Sequence, residues 1–360
     1  MLTDWAWFSR DHGAKPGRRG RSLSGWFRRG QALILTWLIF SCLVLACQGA
    51  RPETGALPGR FALNRVGELG LVDTSTGTVN WLKPDGQGRG DIIDPVWSPD
   101  GRELTFVHQT APAPGDPIPL GRASIRAFDP ATGQTRIIHE EPVGSLLYRP
   151  VWAADGQSLV FNRVEHKFDG LKYLGFEESV VRISRHGGSP DLMAAHAALP
   201  ALSPDNRTLI FLSREGTPRE PGVWKRDLAG GQETLLLATP FPIEINGLAF
   251  SPDGQTVAYS ASGQASGADW STGRAWWEPS SAFAHGLPAD LWLMAPDGTN
   301  RRQITRLGED RLLPSWSPDG QSIAALGLNA LYVFNLDGTE RARWKQLGGE
   351  GMVAWGKSPG

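Results

Sequence analysis

The sequence predicts an all-β chain: a six-bladed β-propeller of four-stranded antiparallel blades, its ring closed by the C-terminal strand joining the N-terminal blade. Three observations carry this expectation. A turn motif, WSPDG, stands at 97–101 and again at 316–320, with softer copies WAADG at 152–156, LSPDN at 202–206 and FSPDG at 250–254. Each copy is followed by a short β-type run and then by two more runs around a Gly turn, which makes four strands per unit. The two ends of the body supply the halves of one further unit.

Ahead of the repeats, residues 1–46 read as an export signal. Arg10, Lys15, Arg18, Arg19, Arg21, Arg28 and Arg29 stand against only Asp4 and Asp11, and the apolar run ALILTWLIFSCLVLAC follows at 32–47. A membrane span needs about 20 apolar residues, so this shorter run suits the apolar region of a secretory signal. Its end, LVLAC, resembles a bacterial lipobox, with Val44, Ala46 and the lipid-accepting Cys47; Leu45 departs from the smaller residue usual there. An uncleaved N-terminal anchor is the alternative. Either way the Arg-rich side stays cytoplasmic and the body lies outside. Residues 47–58, rich in Gly and Pro, read as a flexible tether, and residues 59–360 as the propeller.

Composition narrows the classes of function. The basic residues gathered at the N-terminus leave the body mildly acidic. That argues against a nucleic-acid partner, which needs a basic face. Both cysteines, Cys42 and Cys47, lie in the N-terminal segment, so the body has no disulfide and must hold itself with a large core.

The first unit is composite. RFALNR at 60–65 and the Gly-turn hairpin ELGLVDTSTGTVNWL at 68–82 have no WSPDG-like turn before them, while MVAWGKSPG at the C-terminus is such a turn with no blade after it. Trp355 there matches Trp316. Whole units follow from the motifs that begin at Trp97, Trp152, Leu202, Phe250 and Trp316. Closure leaves no strand edge unpaired between first and last blades.

Each residue of the motif has a structural reason. The aromatic packs between neighbouring blades, and a buried Trp removes roughly 150–250 Å² from water. Pro presets φ for the turn, Asp accepts hydrogen bonds from turn amides, and Gly takes positive φ. Asn206 replaces Gly in one copy, as the next most tolerant residue. Asp100, Asp205, Asp253 and Asp319 are therefore read as turn residues.

These motifs, with hairpins such as LWLMAPDGTNRRQIT, resemble the TolB-like propeller repeat, a cousin of WD-repeat blades, over roughly residues 60–360. The resemblance implies the propeller fold. It leaves function open, since such blades serve in envelope proteins, in peptidase-associated domains and in lyases that assemble a metal site from several blades. The α/β domain that precedes the TolB propeller is not expected between Cys47 and Arg60, nor is a hydrolase domain expected after the closing strand.

No catalytic residue, metal ligand or cofactor is expected. His108, His139, His166, His186, His196 and His285 show no metal-ligand spacing, and each reads as solvated or locally bonded. The insertion DWSTGRAWWEPSSAFAHGLP at 269–288 places Trp270, Trp276 and Trp277 outside the strand pattern. They either fold back onto the blade or form an aromatic platform for a partner.

The candidate binding face is the one bearing the long insertions. There the loops leading into the innermost strands carry Asp91, Asp94, Arg149, His196, Glu244, Asn246, Asp310 and Arg311. Rigid scaffolds present function on such variable loops. The expectation is a monomeric, exported, membrane-anchored propeller of the cell envelope that binds a protein or glycan partner over its channel. A polysaccharide-active lyase and a small-ligand sensor are the alternatives.

Overall fold

The computed structural model describes residues 57–65, 68–82, 84, 90–114, 116, 120–214, 216–239, 243–262, 288–309 and 312–359. Among these, the chain forms six four-stranded antiparallel sheets, a six-bladed propeller. Blade 1 is β1 (Arg60–Arg65), β2 (Glu68–Asp73) and β3 (Thr78–Leu82), completed by β24 (Gly351–Gly356). Blade 2 runs β4 (Gly90–Trp97), β5 (Leu104–Thr110), β6 (Ala123–Phe128), β7 (Thr135–Glu140). Blade 3 runs β8 (Ser145–Trp152), β9 (Ser158–Asp169), β10 (Lys172–Ser184), β11 (Asp191–Ala195). Blade 4 runs β12 (Ala198–Leu202), β13 (Thr208–Ser213), β14 (Gly222–Asp227), β15 (Glu233–Ala238). Blade 5 runs β16 (Glu244–Phe250), β17 (Val257–Ser262), β18 (Ala289–Met294), β19 (Arg302–Gln303). Blade 6 runs β20 (Ser315–Trp316), β21 (Ser322–Leu326), β22 (Leu331–Asn335), β23 (Glu340–Trp344).

The core lies between blades, not within them. Six buried apolar clusters correspond to the six interfaces of adjacent blades. The aromatics that open the WSPDG-like turns sit in them as expected. Trp152 packs with Val107 and Ile125 of blade 2 and donates its indole N–H to Thr105 Oγ1 at 3.1 Å. Trp316 does the same to the Ala249 carbonyl of blade 5 at 3.1 Å.

The ends close as the fragments implied. β24 pairs antiparallel with β1, from Arg60 opposite Gly356 to Arg65 opposite Gly351. Trp355 packs tilted against Phe61 with centroids 4.5 Å apart and donates to the Pro58 carbonyl at 2.6 Å. Arg60 lies 3.7 Å over the Trp97 ring and donates to the Gly101 carbonyl, tying blade 1 to blade 2.

The WSPDG-like turn depends on a serine as well as its aspartate. Ser203 Oγ donates to Asp205 Oδ1 at 2.5 Å and accepts the Thr208 amide at 2.9 Å. Ser98, Ser251 and Ser317 repeat both bonds. Blade 3 has Ala153 there instead. Asn206, at φ +59°, reaches from blade 4 to accept the Ala154 amide at 3.2 Å. On the same face, Glu103 beside the blade 2 turn accepts Arg136 at 3.1 and 2.8 Å and Arg185 at 3.1 Å, both next to Gly turns. The WSPDG-like turns and the Gly turns thus share one face of the disc.

Candidate functional site

The innermost strands bend where they line the channel. Pairing with the second strand slips between Ile93 and Val96, Tyr148 and Val151, Ala198 and Ala201, and Ile245 and Gly247. Asp94, Arg149 and Leu199 occupy three of these bulges at φ +52°, +54° and +50°. Each precedes a proline. Aspartate tolerates this left-handed region, but arginine and leucine do so only at a cost of roughly 1–2 kcal/mol. Backbone strain of this kind gathers at functional positions.

The bulges aim side chains at the axis. Arg149 receives its orientation from Asp94, whose Oδ2 accepts the Arg149 amide at 2.8 Å, with Oδ1 3.9 Å from the guanidinium. From blade 3 the arginine then crosses the channel. Its Nη1 lies 2.8 Å from Met352 Sδ of blade 1, and Nη2 is 3.4 Å from the Asn246 carbonyl of blade 5. A thioether and a long carbonyl contact are weak acceptors, so the guanidinium keeps donor capacity for a better one. The Asn246 amide itself is tied to Ser262 Oγ at 2.7 Å.

Arg149 and Leu199 stand between two cavities. One, of about 420 Å³, opens among the WSPDG-like turns and is lined from all six blades by Asp94, Arg149, Leu199, Gly247, Leu313 and Met352 and by the turn residues beyond them. The other, of about 370 Å³, lies toward the insertion face beside blades 4 and 5, lined by Arg149, Leu199, Ser213, Arg214, Glu244 and Asn246 among others.

Of the residues expected at a binding face, the structure brings Asp94, Arg149 and Asn246 together at the channel. His196 stands exposed in the turn before β12 at φ +52° and lines neither cavity. Asp310, Arg311, Trp270, Trp276, Trp277 and Cys47 lie outside the described residues. Leu199, Met352, Ser213 and Arg214 are additions that sequence reasoning missed. A signal existed for the first two: the residue three places before each motif's first residue faces the channel in every blade.

The described histidines are scattered. His139 Nε2 lies 2.9 Å from Glu141 Oε1, His186 is in a Gly turn, and His108 is buried with both ring nitrogens unbonded. Burial, and next the nearby Arg126, push His108 toward its neutral form. Among the described residues, no three His, Cys, Asp or Glu side chains are grouped to hold a metal ion.

Likeness to solved structures bears on the fold. TolB from Acinetobacter baumannii is similar at 19% identity and a TM-score of 0.56, over 89% of this chain and 71% of that one. The chain has the TolB-type propeller fold. A structure assigned to TolB from Agrobacterium tumefaciens aligns at 15% identity and a TM-score of 0.49, over 82% of this chain and 92% of that one. An oligogalacturonate lyase in complex with manganese aligns at 18% identity and a TM-score of 0.48, over 76% and 69%. No protein-family model and no curated protein matches the sequence.

Proposed function

We propose that this chain is a non-enzymatic binding propeller of the cell envelope, which docks a protein or glycan partner over the central channel on its insertion-bearing face. The N-terminal apolar segment, through lipid on Cys47 or as an uncleaved anchor, holds it at the membrane. One observation carries the binding reading: Arg149 is strained, aimed across the channel and underused as a donor. A carboxylate on the partner satisfies that guanidinium far better than a thioether does. The insertion-side cavity adds Arg214 and the Ser213 hydroxyl beside it. A small-ligand sensor is the second reading, because the cavity of about 420 Å³ among the WSPDG-like turns has the size of small-molecule sites.

The test is affinity capture from envelope extract with the full chain and two charge variants of matched stability. Arg149→Gln with Arg214→Gln should lose the captured partner. Arg102→Gln, on the opposite face, should keep it. Loss in the second variant alone refutes the assignment of the binding face. Loss of a bound small molecule with no change in captured partner favours the sensor.

A further inference from the structure

Blade 3 carries an arm. The second and third strands of the other blades are 5 to 7 residues long, whereas β9 and β10 have 12 and 13. Flanking support stops short of their ends. β8 pairs only as far as Glu165, with one further bond from the His166 amide to the Gly144 carbonyl, and β11 only as far as Ser179. Beyond those points the two strands pair only with each other among the described residues. At about 3.3 Å per residue, the stretch from His166 to the turn at Gly170–Leu171 projects roughly 15 Å.

The outer half of the arm is rich in exposed apolar side chains. Leu171 at the turn is 83% exposed, and Tyr173, Leu174 and Phe176 are each at least half exposed. These four make up half of the large exposed hydrophobics among the described residues, within one six-residue stretch. Scattered exposed apolar residues need no explanation, but such a cluster does. The aromatics share one face of the ribbon: Phe168 and Tyr173 lie 5.4 Å apart, and His166 sits 5.8 Å from Tyr173 and 6.0 Å from Phe176.

We infer that this arm dips its tip into the surface of a lipid bilayer. The order of chemistry along its axis argues for lipid over a protein groove. Leu171 caps the turn with the Lys172–Asp169 pair beside it, Phe168, Tyr173 and Leu174 come next, then Lys167 and Phe176, and the carboxylates Glu165, Glu177 and Glu178 stand at the base. Asp169, the one acid near the turn, lies directly opposite Lys172 in the register. At the base, Lys167 bridges Glu165 at 3.0 Å and Glu177 at 3.4 Å, and Arg214 of blade 4 braces Glu178 at 3.1 Å. Apolar and basic side chains mixed in the outer half, with most of the acids held back at the base, suit shallow insertion at a bilayer interface, where lysine snorkels to the headgroups and tyrosine sits at their level. A partner adding a strand would engage the ribbon's edges and leave Leu171 at the turn in water. The inference is independent of the channel reading.

The experiment uses the full chain reconstituted in vesicles of phosphatidylethanolamine and phosphatidylglycerol. A nitroxide is carried by a non-natural side chain at position 171, and separately at position 255 in the blade 5 WSPDG-like turn. Its collision rates with oxygen, which concentrates in lipid, and with an aqueous nickel chelate are measured. The oxygen-to-nickel ratio should be several-fold higher at 171 than at 255. It should fall to the value at 255 when Leu174→Ser and Phe176→Ser are added, with the thermal melt unchanged because the tip lies outside the blade. Equal ratios at 171 and 255 overturn the inference. So does shielding of position 171 from both agents, which is the signature of burial against protein.

Discussion

Arg149 and Met352, 203 residues apart, meet across the propeller axis with Nη1 2.8 Å from Sδ. The contact joins blade 3 to the strand that closes blade 1. It depends on a bulge that puts Arg149 at φ +54°, a conformation its Cβ resists.

The strain predicts an inverted ranking of substitutions. Arg149→Gly relieves the left-handed backbone, while Arg149→Ala keeps the strained Cβ and loses the same contacts. The glycine variant should be the more stable by about 1 kcal/mol. Urea melts of the two variants decide this, and an alanine variant at least as stable as the glycine variant rules it out.

Ring closure should rest heavily on one side chain. Trp355 is buried against Phe61, bonded to Pro58, and donates its amide N–H to Ser315 Oγ at 2.8 Å. Trp355→Ala should cost about 3–5 kcal/mol, as large-to-small core changes do. Removing 351–360 should cost at least as much, since it also strips β1 of its partner. Calorimetric melts equal to the parent in both cases would refute closure by the C-terminus.

The serines of the WSPDG-like turns predict a pH signature. The Ser203 and Ser251 hydroxyls, first among the causes, hold Asp205 and Asp253 below the usual carboxylate value of 3.8. A depressed carboxylate contributes stability above its unfolded pKa and loses it as pH falls through the folded one. Ser203→Ala loses the bond to Asp205 and the one accepted from the Thr208 amide, and at the usual net worth of a hydrogen bond should cost about 1 kcal/mol near neutrality. The gap from the parent should narrow as pH drops below the ordinary aspartate range. Stability measured between pH 6 and pH 2 tests this, and a gap that widens on acidification contradicts it.

Two phenols should resist alkali. Of the four tyrosines, Tyr259 and Tyr332 are pushed up to about 12, both chiefly by burial. For Tyr332 the Glu309 carboxylate, which accepts its hydroxyl at 2.6 Å, adds to the rise. Ultraviolet titration of the native chain should leave Tyr259 and Tyr332 to ionise near pH 12, with Tyr148 also raised by burial, whereas the unfolded chain ionises all four near 10. Because these acids are raised, stability should fall as pH climbs from 10 to 12. Native titration of all four near pH 10 would contradict the burial of both.

The repeat is legible in the residues because blade geometry is local. Each WSPDG-like turn needs a large apolar residue to bury, an Asp to turn, most often behind a Pro, and a Gly or Asn for positive φ. WSPDG at 97–101 and 316–320 declares all of these within five residues, and the unmatched ends at Arg60 and Trp355 declare closure. The strands and their antiparallel partners follow from turn spacing alone. Even Asn206 is readable as the stand-in for Gly, though its bond to the blade 3 turn is not.

What the chain does with its channel is decided by tertiary structure. Asp94, Arg149 and Asn246 read from sequence as loop groups, yet Asp94 and Arg149 sit in β-bulges, a feature set by the register between strands. That Arg149 meets Met352 depends on rotation around a ring, which linear spacing does not encode. The arm at 166–176 reads as an ordinary insertion because its alternation is that of any strand. Only the ends of β8 and β11 reveal that, among the described residues, the outer ribbon has no flanking strand, which leaves Leu171 and its neighbours exposed.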